Sequence, residues 1–180
     1  MLNEMIFAGF GGQGVLSMGK LLAYAAMKEG KEVSWMPSYG PEMRGGTANC
    51  IVNVSDEMIS SPVVTEYNVV VALNLPSLKK FEPKVKKGGI LIWESSTIKE
   101  GPTRTDINSY ALPAYEKAAD VLKNVKVMNM LVLGALVKLN GLVKVESLLI
   151  ALKDTLPPRH HKLIPLNEQA IELGMSLVEK

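Results

Sequence analysis

Short, continuous apolar runs alternate along this chain with segments in which apolar residues recur every three or four positions. The runs at 4–10, 68–73 and 89–94 have the length of strands, and the last two predict strands that are covered on both faces. Helical spacing predicts helices near residues 15–25, 115–122, 130–139, 145–152 and 166–178. Strands that alternate with helices in this way favour a mostly parallel sheet.

One stretch departs from this regular alternation. A short strand at 33–36 is expected to stop at Pro37, and the segment 37–46, rich in glycine and proline, is expected to form a loop. Residues 47–54 then alternate apolar and polar side chains, which predicts a strand with one polar face. We expect this strand to be the one that breaks the parallel order of the sheet.

The pattern as a whole predicts an α/β fold with three layers, α/β/α. Its centre is a Rossmann-like sheet that is mostly parallel, with a mixed sheet as the alternative, followed by a helical C-terminal tail. We also expect a short strand at 125–128, N-caps at Asn129 and Asn167, and a break at Pro157-Pro158 between the last two helices. With no linker or repeat in the pattern, residues 1–180 are expected to form one domain.

Composition narrows the functional classes. The chain is 47% apolar and 21% charged, which is ordinary for a globular protein. Its net charge of +2 gives no reason to expect a nucleic-acid or membrane partner. The single cysteine, Cys50, excludes an internal disulfide and an iron–sulfur or cysteine-zinc site built within this chain. One cysteine, no cationic leader and no membrane-length apolar run favour a soluble cytoplasmic protein.

The first candidate site is a glycine-rich turn between a predicted strand and a predicted helix. It has the G-x-G-x-x-G pattern and consists of Gly9, Gly11, Gly12, Gln13 and Gly14 with one intervening residue. Glycines at these positions let backbone N–H groups approach an anion, and a helix N-terminus favours negative charge. The pattern therefore predicts phosphate, nucleotide or coenzyme A binding. The alternative is a compact turn that binds nothing.

A conventional NAD site is disfavoured at this turn. Such a site places an acidic residue at the end of the second strand, where it binds the ribose. Here that strand ends in Trp35-Met36-Pro37-Ser38, and Glu42 follows only within the loop. The diphosphate of a standard dinucleotide is therefore disfavoured as the anion at this turn.

The loop after the second strand is the other candidate. Loops at the carboxyl ends of strands line the ligand crevice of a doubly wound sheet. Ser38 and Tyr39 offer hydroxyls, Arg44 offers a guanidinium suited to phosphate or carboxylate, and Gly45 and Gly46 allow close backbone approach. We expect this loop to contact a ligand or a partner protein, and partner contact is favoured. The alternative is an ordinary connection whose arginine is solvated.

The remaining reactive residues do not form a catalytic motif. Cys50 lies on the apolar side of its strand, where a buried inert thiol is favoured over a nucleophile. His160 and His161 are adjacent, without a third metal ligand nearby in the pattern. The lysines between 79 and 87 are interrupted by Glu82 and favour a solvated surface. The residues alone thus predict no catalytic residue and no metal site in this chain.

Both candidate loops together resemble a known family. The run 9–14, followed by Ser-Tyr-Gly-Pro-Glu-Met-Arg-Gly-Gly-Thr-Ala-Asn at 38–49, is similar to the gamma subunit of 2-oxoacid:ferredoxin oxidoreductases, the pyruvate, 2-oxoglutarate and 2-ketoisovalerate group. Ala-Leu-Asn-Leu-Pro-Ser at 72–77 and the tail, with Asn129 and Asn167, fit as well. The amino-acid sequence of the second loop most resembles that of the 2-oxoglutarate branch.

The resemblance implies a role within a larger enzyme. In such complexes thiamine diphosphate, with Mg, decarboxylates a 2-oxoacid, electrons leave through iron–sulfur clusters to ferredoxin, and coenzyme A takes the acyl group. This chain lacks a Gly-Asp-Gly thiamine motif and has one cysteine, so that chemistry is expected on alpha, beta and ferredoxin-like delta subunits. The resemblance implies that the gamma chain contributes structure and access for coenzyme A, holding no cofactor by itself, and is inactive when isolated.

Two other interpretations stay open at this point. A free-standing protein that binds a nucleotide or coenzyme A would use the glycine turn without partners. A small NADP-type reductase would place Ser38 and Arg44 on a 2′-phosphate, although the sequence offers no proton donor or hydride pocket for it.

Overall fold

The computed structural model describes residues 2–39 and 47–178. Its strands are β1 (Asn3–Phe10), β2 (Glu32–Tyr39), β3 (Thr47–Ser55), β4 (Tyr67–Ala72), β5 (Val85–Glu94) and β6 (Asn108–Leu112). Its α-helices are α1 (Val15–Lys28), α2 (Leu75–Phe81), α3 (Ala114–Asp120), α4 (Met128–Asn140), α5 (Val145–Thr155) and α6 (Ile164–Ser176). Short 3-10 helices lie at Glu82–Lys84, Val125–Val127 and Pro158–Leu163.

The strands form a six-stranded sheet in the order β2-β3-β1-β4-β5-β6. The pairs β1–β4, β4–β5 and β5–β6 are parallel, whereas β3 is antiparallel to both of its neighbours, β1 and β2. The sheet is therefore mixed, and the strand that breaks the parallel order is the half-polar one expected to do so. The predicted α/β architecture is confirmed.

Helices cover both faces of the sheet, but unequally. Helices α1, α4, α5 and α6 share one large apolar core with side chains of the sheet such as Phe7, Val52 and Val71. On the other face, Leu78 and Phe81 of α2 pack with Ile6, Val70 and Leu91 in a smaller core. The helix that follows β1 thus lies on the opposite face from the helix that follows β4, which matters for the site.

Helix α4 lies inside the thicker helical layer. Met128 and every residue from 130 to 137 are buried, so this helix is apolar on all sides. It packs against α6, α3 and α1. Among the residues that the structure describes, no helix is both long and apolar enough to cross a membrane.

Two glycines set the distance between α4 and α6. A Cβ atom at Gly134 would overlap the carbonyl oxygen of Ile171, and one at Gly174 would overlap the carbonyl oxygen of Leu131. The helix backbones therefore touch at both points, and backbone cannot give way as a flexible side chain can. The C-terminal helices depend on these two positions for their packing.

Cys50 is part of the core between β3 and α1. Its side chain is fully buried and its Sγ donates to the carbonyl oxygen of Val15, 3.5 Å away. Burial raises the pKa of the Cys50 thiol to about 12, although hydrogen bonds with Trp35 and Gly19 offset part of that rise. The thiol is therefore protonated at neutral pH and out of reach of solvent, as favoured from the sequence.

Several local expectations were wrong. Residues 125–127 form a 3-10 turn instead of a strand, because Asn124 caps that turn by accepting from the N–H of Lys126. Asn129 lies inside α4, and Asn167 lies inside α6, where its Nδ2 donates to the carbonyl oxygen of Leu163 at 2.7 Å. Neither asparagine is an N-cap.

Two strands also differ from the expected pattern. Strand β2 continues through Pro37, which pairs in register with Cys50. Proline is tolerated there because β2 is the edge strand of the sheet and needs no second set of ladder hydrogen bonds. Strand β6, at the opposite edge, was missed because its sequence, Asn-Ser-Tyr-Ala-Leu, is polar and mostly exposed.

We expect Gly174→Ala to destabilise the fold by at least ~2 kcal/mol, because the added methyl group must push two helix backbones apart. Thermal or urea unfolding measures this. Gly101→Ala is the matched control, since a Cβ there meets its nearest atom, on Trp93, at an ordinary 3.5 Å. Equal stability of the two variants would contradict the close crossing of α4 and α6.

We expect Cys50 to react with a thiol reagent only when the protein unfolds. The folded thiol keeps its proton up to pH 12 or so, whereas an unfolded cysteine loses it near ~8.5. The contribution of this pKa difference to the free energy of unfolding is fully present below pH ~8.5 and falls by up to ~1.4 kcal/mol per pH unit above it. Labelling with the thiol reagent at pH 8, in buffer and in urea, measures the reactivity of Cys50 in the folded and the unfolded protein. Fast labelling in buffer would contradict the burial.

Candidate functional site

The candidate site lies at the carboxyl end of the central strands. Helix α1 leaves β1 toward one face of the sheet and α2 leaves β4 toward the other, although β1 and β4 are adjacent and parallel. The topology therefore predicts a crevice at the ends of these two strands, between the two helices. In open α/β sheets this is the place where ligands bind.

The glycine turn forms one wall of this crevice. Gly12 and Gly14 have φ values of 98° and 76°, which lie in the region that only glycine adopts without strain. The turn is closed by a hydrogen bond from the N–H of Gln13 to the carbonyl oxygen of Phe10, at 3.2 Å. A Cβ at Gly14 would overlap the side chain of Asn129, whereas Gly12 faces open space. The sequence pattern therefore identified a turn in which Gly12 and Gly14 are needed for their conformation.

The amide of Gln13 lies inside the turn. Its Oε1 accepts from the N–H of Phe10 at 2.6 Å, and its Nε2 donates to the carbonyl oxygen of Leu73 at 3.1 Å. Gly9 is a glycine because a Cβ there would come within 2.6 Å of the same Oε1. The side chain thus joins the end of β1 to the end of β4.

The N-terminus of α1 opens at this turn without a capping side chain. Gly14 is the N-cap residue, and the first turn of this 14-residue helix carries no acidic residue. The N–H groups of a first helical turn have no partners within the helix, and the helix dipole makes the end attractive to anions. Gly12 is exposed beside it, so the turn is open toward solvent.

The second candidate loop begins at the same end of the strands as the glycine turn. Phe10 pairs with Thr47 and Tyr39 pairs with Ala48, so β1 and β2 both end where β3 begins. Ser38 is exposed at the end of β2, opposite Asn49. The structure therefore brings the glycine turn and Ser38 to the same end of the sheet, where β1 and β2 end. Three of the residues named from the sequence, Arg44, Gly45 and Gly46, lie outside the described residues, as does the side chain of Tyr39.

Sequence reasoning missed three residues at this end of the sheet. Phe10, inside the glycine motif, is 38% exposed beside the crevice. Asn74 follows β4 and caps α2, since its Oδ1 accepts from the N–H of Ser77 at 2.8 Å. Asn129 contacts Gly14 from the first turn of α4. Only Asn74 had a local signal, a possible N-cap just before Leu75-Pro76, because the other two contacts depend on the fold.

Glu94, at the end of β5, is the one buried carboxylate near this edge among the described residues. Burial by itself would raise the pKa of Glu94, but hydrogen bonds to Ser96, Thr97 and the N–H of Tyr115 outweigh it and lower the pKa. Its two oxygens accept from the N–H groups of Ser96, Thr97 and Tyr115 at 2.8–3.1 Å. Glu94 therefore holds the turn after β5 and the start of α3, and is not poised as a proton donor.

The two histidines lie far along the chain on the exposed 3-10 helix Pro158–Leu163. His161 Nε2 lies 2.8 Å from the carbonyl oxygen of Leu156, and the Nε–H of Arg159 donates to Nε2 of His160 at 3.2 Å. These contacts close the end of α5 and do not bring the rings to the crevice. Among the described residues, the site consists of backbone N–H groups, the hydroxyl of Ser38 and side-chain amides, groups that can donate hydrogen bonds to an anion.

Comparisons with known proteins place this arrangement in a family. The model of the pyruvate ferredoxin/flavodoxin oxidoreductase family matches residues 4–177. Ketoisovalerate oxidoreductase subunit VorA of Methanothermobacter marburgensis is 39% identical over 175 residues, which are 96% of this chain and 36% of VorA. The chain therefore spans about a third of the length of that relative. The 2-oxoglutarate synthase subunit KorC of Methanocaldococcus jannaschii is 33% identical over 87% of this chain and 85% of KorC.

Solved structures with the same fold agree with these relatives. The gamma subunit of a keto/oxoacid ferredoxin oxidoreductase from Geobacter sulfurreducens superimposes with a TM-score of 0.83 and 28% identity, covering 97% of both chains. A 2-oxoglutarate:ferredoxin oxidoreductase from Magnetococcus marinus, with coenzyme A among its bound molecules, gives a TM-score of 0.88 at 26% identity, over 98% of this chain and 31% of that one. This chain belongs to the pyruvate ferredoxin/flavodoxin oxidoreductase family, and its resemblance to the gamma subunits of that family is confirmed.

Proposed function

We propose that this chain is the gamma subunit of a 2-oxoacid:ferredoxin oxidoreductase. Such an enzyme decarboxylates a 2-oxoacid, passes the electrons to ferredoxin and transfers the acyl group to coenzyme A. The observation that carries the proposal is the match to a gamma subunit over 97% of both chains. Residues 1–180 then form one gamma-type domain of a cytoplasmic complex.

The chemical steps of this enzyme belong to other subunits in our proposal. Thiamine diphosphate with its magnesium ion and the iron–sulfur clusters would be held by alpha, beta and ferredoxin-like delta subunits. This chain has one cysteine, which is buried and protonated, and clusters of this kind need several thiolates. The buried carboxylate at the end of β5, Glu94, accepts hydrogen bonds on both of its oxygens. A structural role and access for coenzyme A remain for the gamma chain.

The glycine turn is the part of this chain that suits coenzyme A. The diphosphate and phosphate of that molecule are anions, and the uncapped N-terminus of α1 and the open side of Gly12 fit a phosphate group. We propose that N–H groups of the turn, Gly9 to Gly14, receive it. On the second loop we propose Ser38, Tyr39 and Arg44 for the same ligand or for a neighbouring subunit, with Gly45 and Gly46 allowing close approach.

We propose 2-oxoglutarate as the substrate of the complex. The amino-acid sequence of the 38–49 loop resembles that of the 2-oxoglutarate branch. In addition, the 2-oxoglutarate synthase subunit KorC aligns with this chain over most of its own length. The second candidate is 2-ketoisovalerate, which is favoured by the higher identity of 39% with VorA. The gamma chain is not expected to choose between them, because it carries none of the thiamine chemistry.

Co-expression of this chain with the products of its neighbouring genes tests the proposal. Purification on a tag carried by this chain is expected to yield an iron-containing complex of several subunits. That complex is expected to reduce a viologen dye only with coenzyme A and a 2-oxoacid present, fastest with 2-oxoglutarate. The chain purified alone is the control and is expected to be inactive.

The same experiment separates the alternatives. A preference for 2-ketoisovalerate would change the substrate and keep the subunit role. A chain that elutes without partners and without dye reduction would contradict the subunit role. If that lone chain still bound coenzyme A, the glycine turn would belong to a stand-alone binding protein.

A further inference from the structure

Gln13 occupies an unusual place for a residue of a ligand-binding turn. Its amide points back into the protein and joins two distant segments of the chain, Phe10 at the end of β1 and Leu73 after β4, which is 60 residues from Gln13. The backbone of Leu73 also bonds to β1 directly, because its N–H donates to the carbonyl oxygen of Ala8 at 2.9 Å. Gln13 therefore extends the pairing of β1 and β4 by one further link.

This link needs a primary amide. Phe10 presents an N–H donor and Leu73 presents a carbonyl acceptor, so the side chain between them has to accept at one atom and donate at the other. An ionised glutamate has only acceptors, and its second oxygen would face the carbonyl of Leu73. Asparagine has both groups but is one methylene shorter.

The surrounding glycines make room for the link. A side chain at Gly9 would collide with the Oε1 of Gln13 at 2.6 Å. Gly12 and Gly14, on either side of Gln13, have φ values of 98° and 76°, which only glycine adopts readily. Three glycines of the motif are thus explained by the turn that encloses the amide, without reference to any ligand.

We propose that Gln13 is a positioning residue that fixes the glycine turn for an anionic ligand instead of binding that ligand itself. Its amide holds the N–H of Phe10 inward and closes the turn beside the exposed Gly12, at the uncapped N-terminus of α1. This inference rests on the proposed function, in which the ligand is coenzyme A. It assigns the ordering of the turn to one side chain.

The test compares Gln13→Ala and Gln13→Glu in the assembled complex with the same changes at Gln169, which is exposed on α6. Loss of the positioning hydrogen bonds of Gln13 is expected to raise the KM for coenzyme A about tenfold, while kcat changes less than about twofold. Calorimetric titration of the complex with coenzyme A is expected to show the same loss of affinity. Variants at Gln169 are expected to match the wild type.

Hydrogen exchange gives a readout that does not depend on the ligand. The protection of the Phe10 amide is expected to fall about tenfold in Gln13→Ala, because its acceptor is removed. In Gln13→Glu the ionised carboxylate is repelled by the carbonyl oxygen of Leu73, so the protection is expected to be reduced at neutral pH. It is expected to recover as the pH falls toward ~4.3, since a protonated carboxyl both donates and accepts. Gln13→Ala has no such recovery. This measurement uses the full chain and reports on the turn even where a variant assembles poorly.

The outcomes distinguish the inference from the proposed function. A wild-type complex that does not use coenzyme A would overturn the proposed function, and the inference about its ligand would fall with it. A wild-type complex that uses coenzyme A, with an unchanged KM in both Gln13 variants, would overturn the positioning role alone. Unchanged protection of the Phe10 amide in Gln13→Ala would also overturn it, because the hydrogen bond would not hold the turn.

Discussion

The geometry of this protein depends on the hydrogen bonds that β1 makes along both of its edges. On one side β1 pairs with the antiparallel β3 from Asn3 to Phe10, and on the other it pairs with the parallel β4. Because β3 runs backwards, its first residue lies beside the last residue of β1. Because β4 runs forwards, Leu73 lies beside that same end. The glycine turn, the first residue of β3 and the start of α2 therefore all lie at one end of the sheet, the carboxyl end of β1 and β4.

Two described side chains that could take part in bond chemistry, Cys50 and Glu94, are held by contacts within the fold. The thiol of Cys50 is buried against α1 with its pKa raised, and the carboxylate of Glu94 is ionised and surrounded by hydrogen-bond donors. The groups that are exposed at the carboxyl end of β1 are backbone N–H groups and an aromatic ring, that of Phe10. Groups of this kind can donate hydrogen bonds to an anionic molecule, which supports the coenzyme A role that we propose for this chain.

Much of the fold was predictable from local pattern. The continuous apolar runs of β4 and β5 and the alternation in β3 gave the strands and the one reversal of direction. Strand β6 was missed because an exposed edge strand needs no apolar run. Asn129 and Asn167 were misplaced because each helix begins earlier, at Met128 and Ile164.

The site was predictable only in part, for a related reason. The glycine motif and its place between strand and helix follow from neighbouring residues in the sequence. The role of Gln13 does not, because its partner Leu73 is 60 residues away and becomes adjacent only when β1 and β4 pair. The contact of Asn129 with Gly14 likewise depends on the packing of α4 beside α1. Sequence pattern identified the turn, and tertiary structure determines what holds it.

A structure of the assembled complex with coenzyme A bound, by electron cryomicroscopy, tests the central claim most directly. Our account predicts a phosphate group of coenzyme A within hydrogen-bonding distance, about 3 Å, of backbone N–H groups of the glycine turn, residues 9–14. It also predicts that the amide of Gln13 still joins Phe10 to Leu73 beneath that phosphate. Coenzyme A bound entirely by other subunits, with the glycine turn facing solvent, would contradict the account.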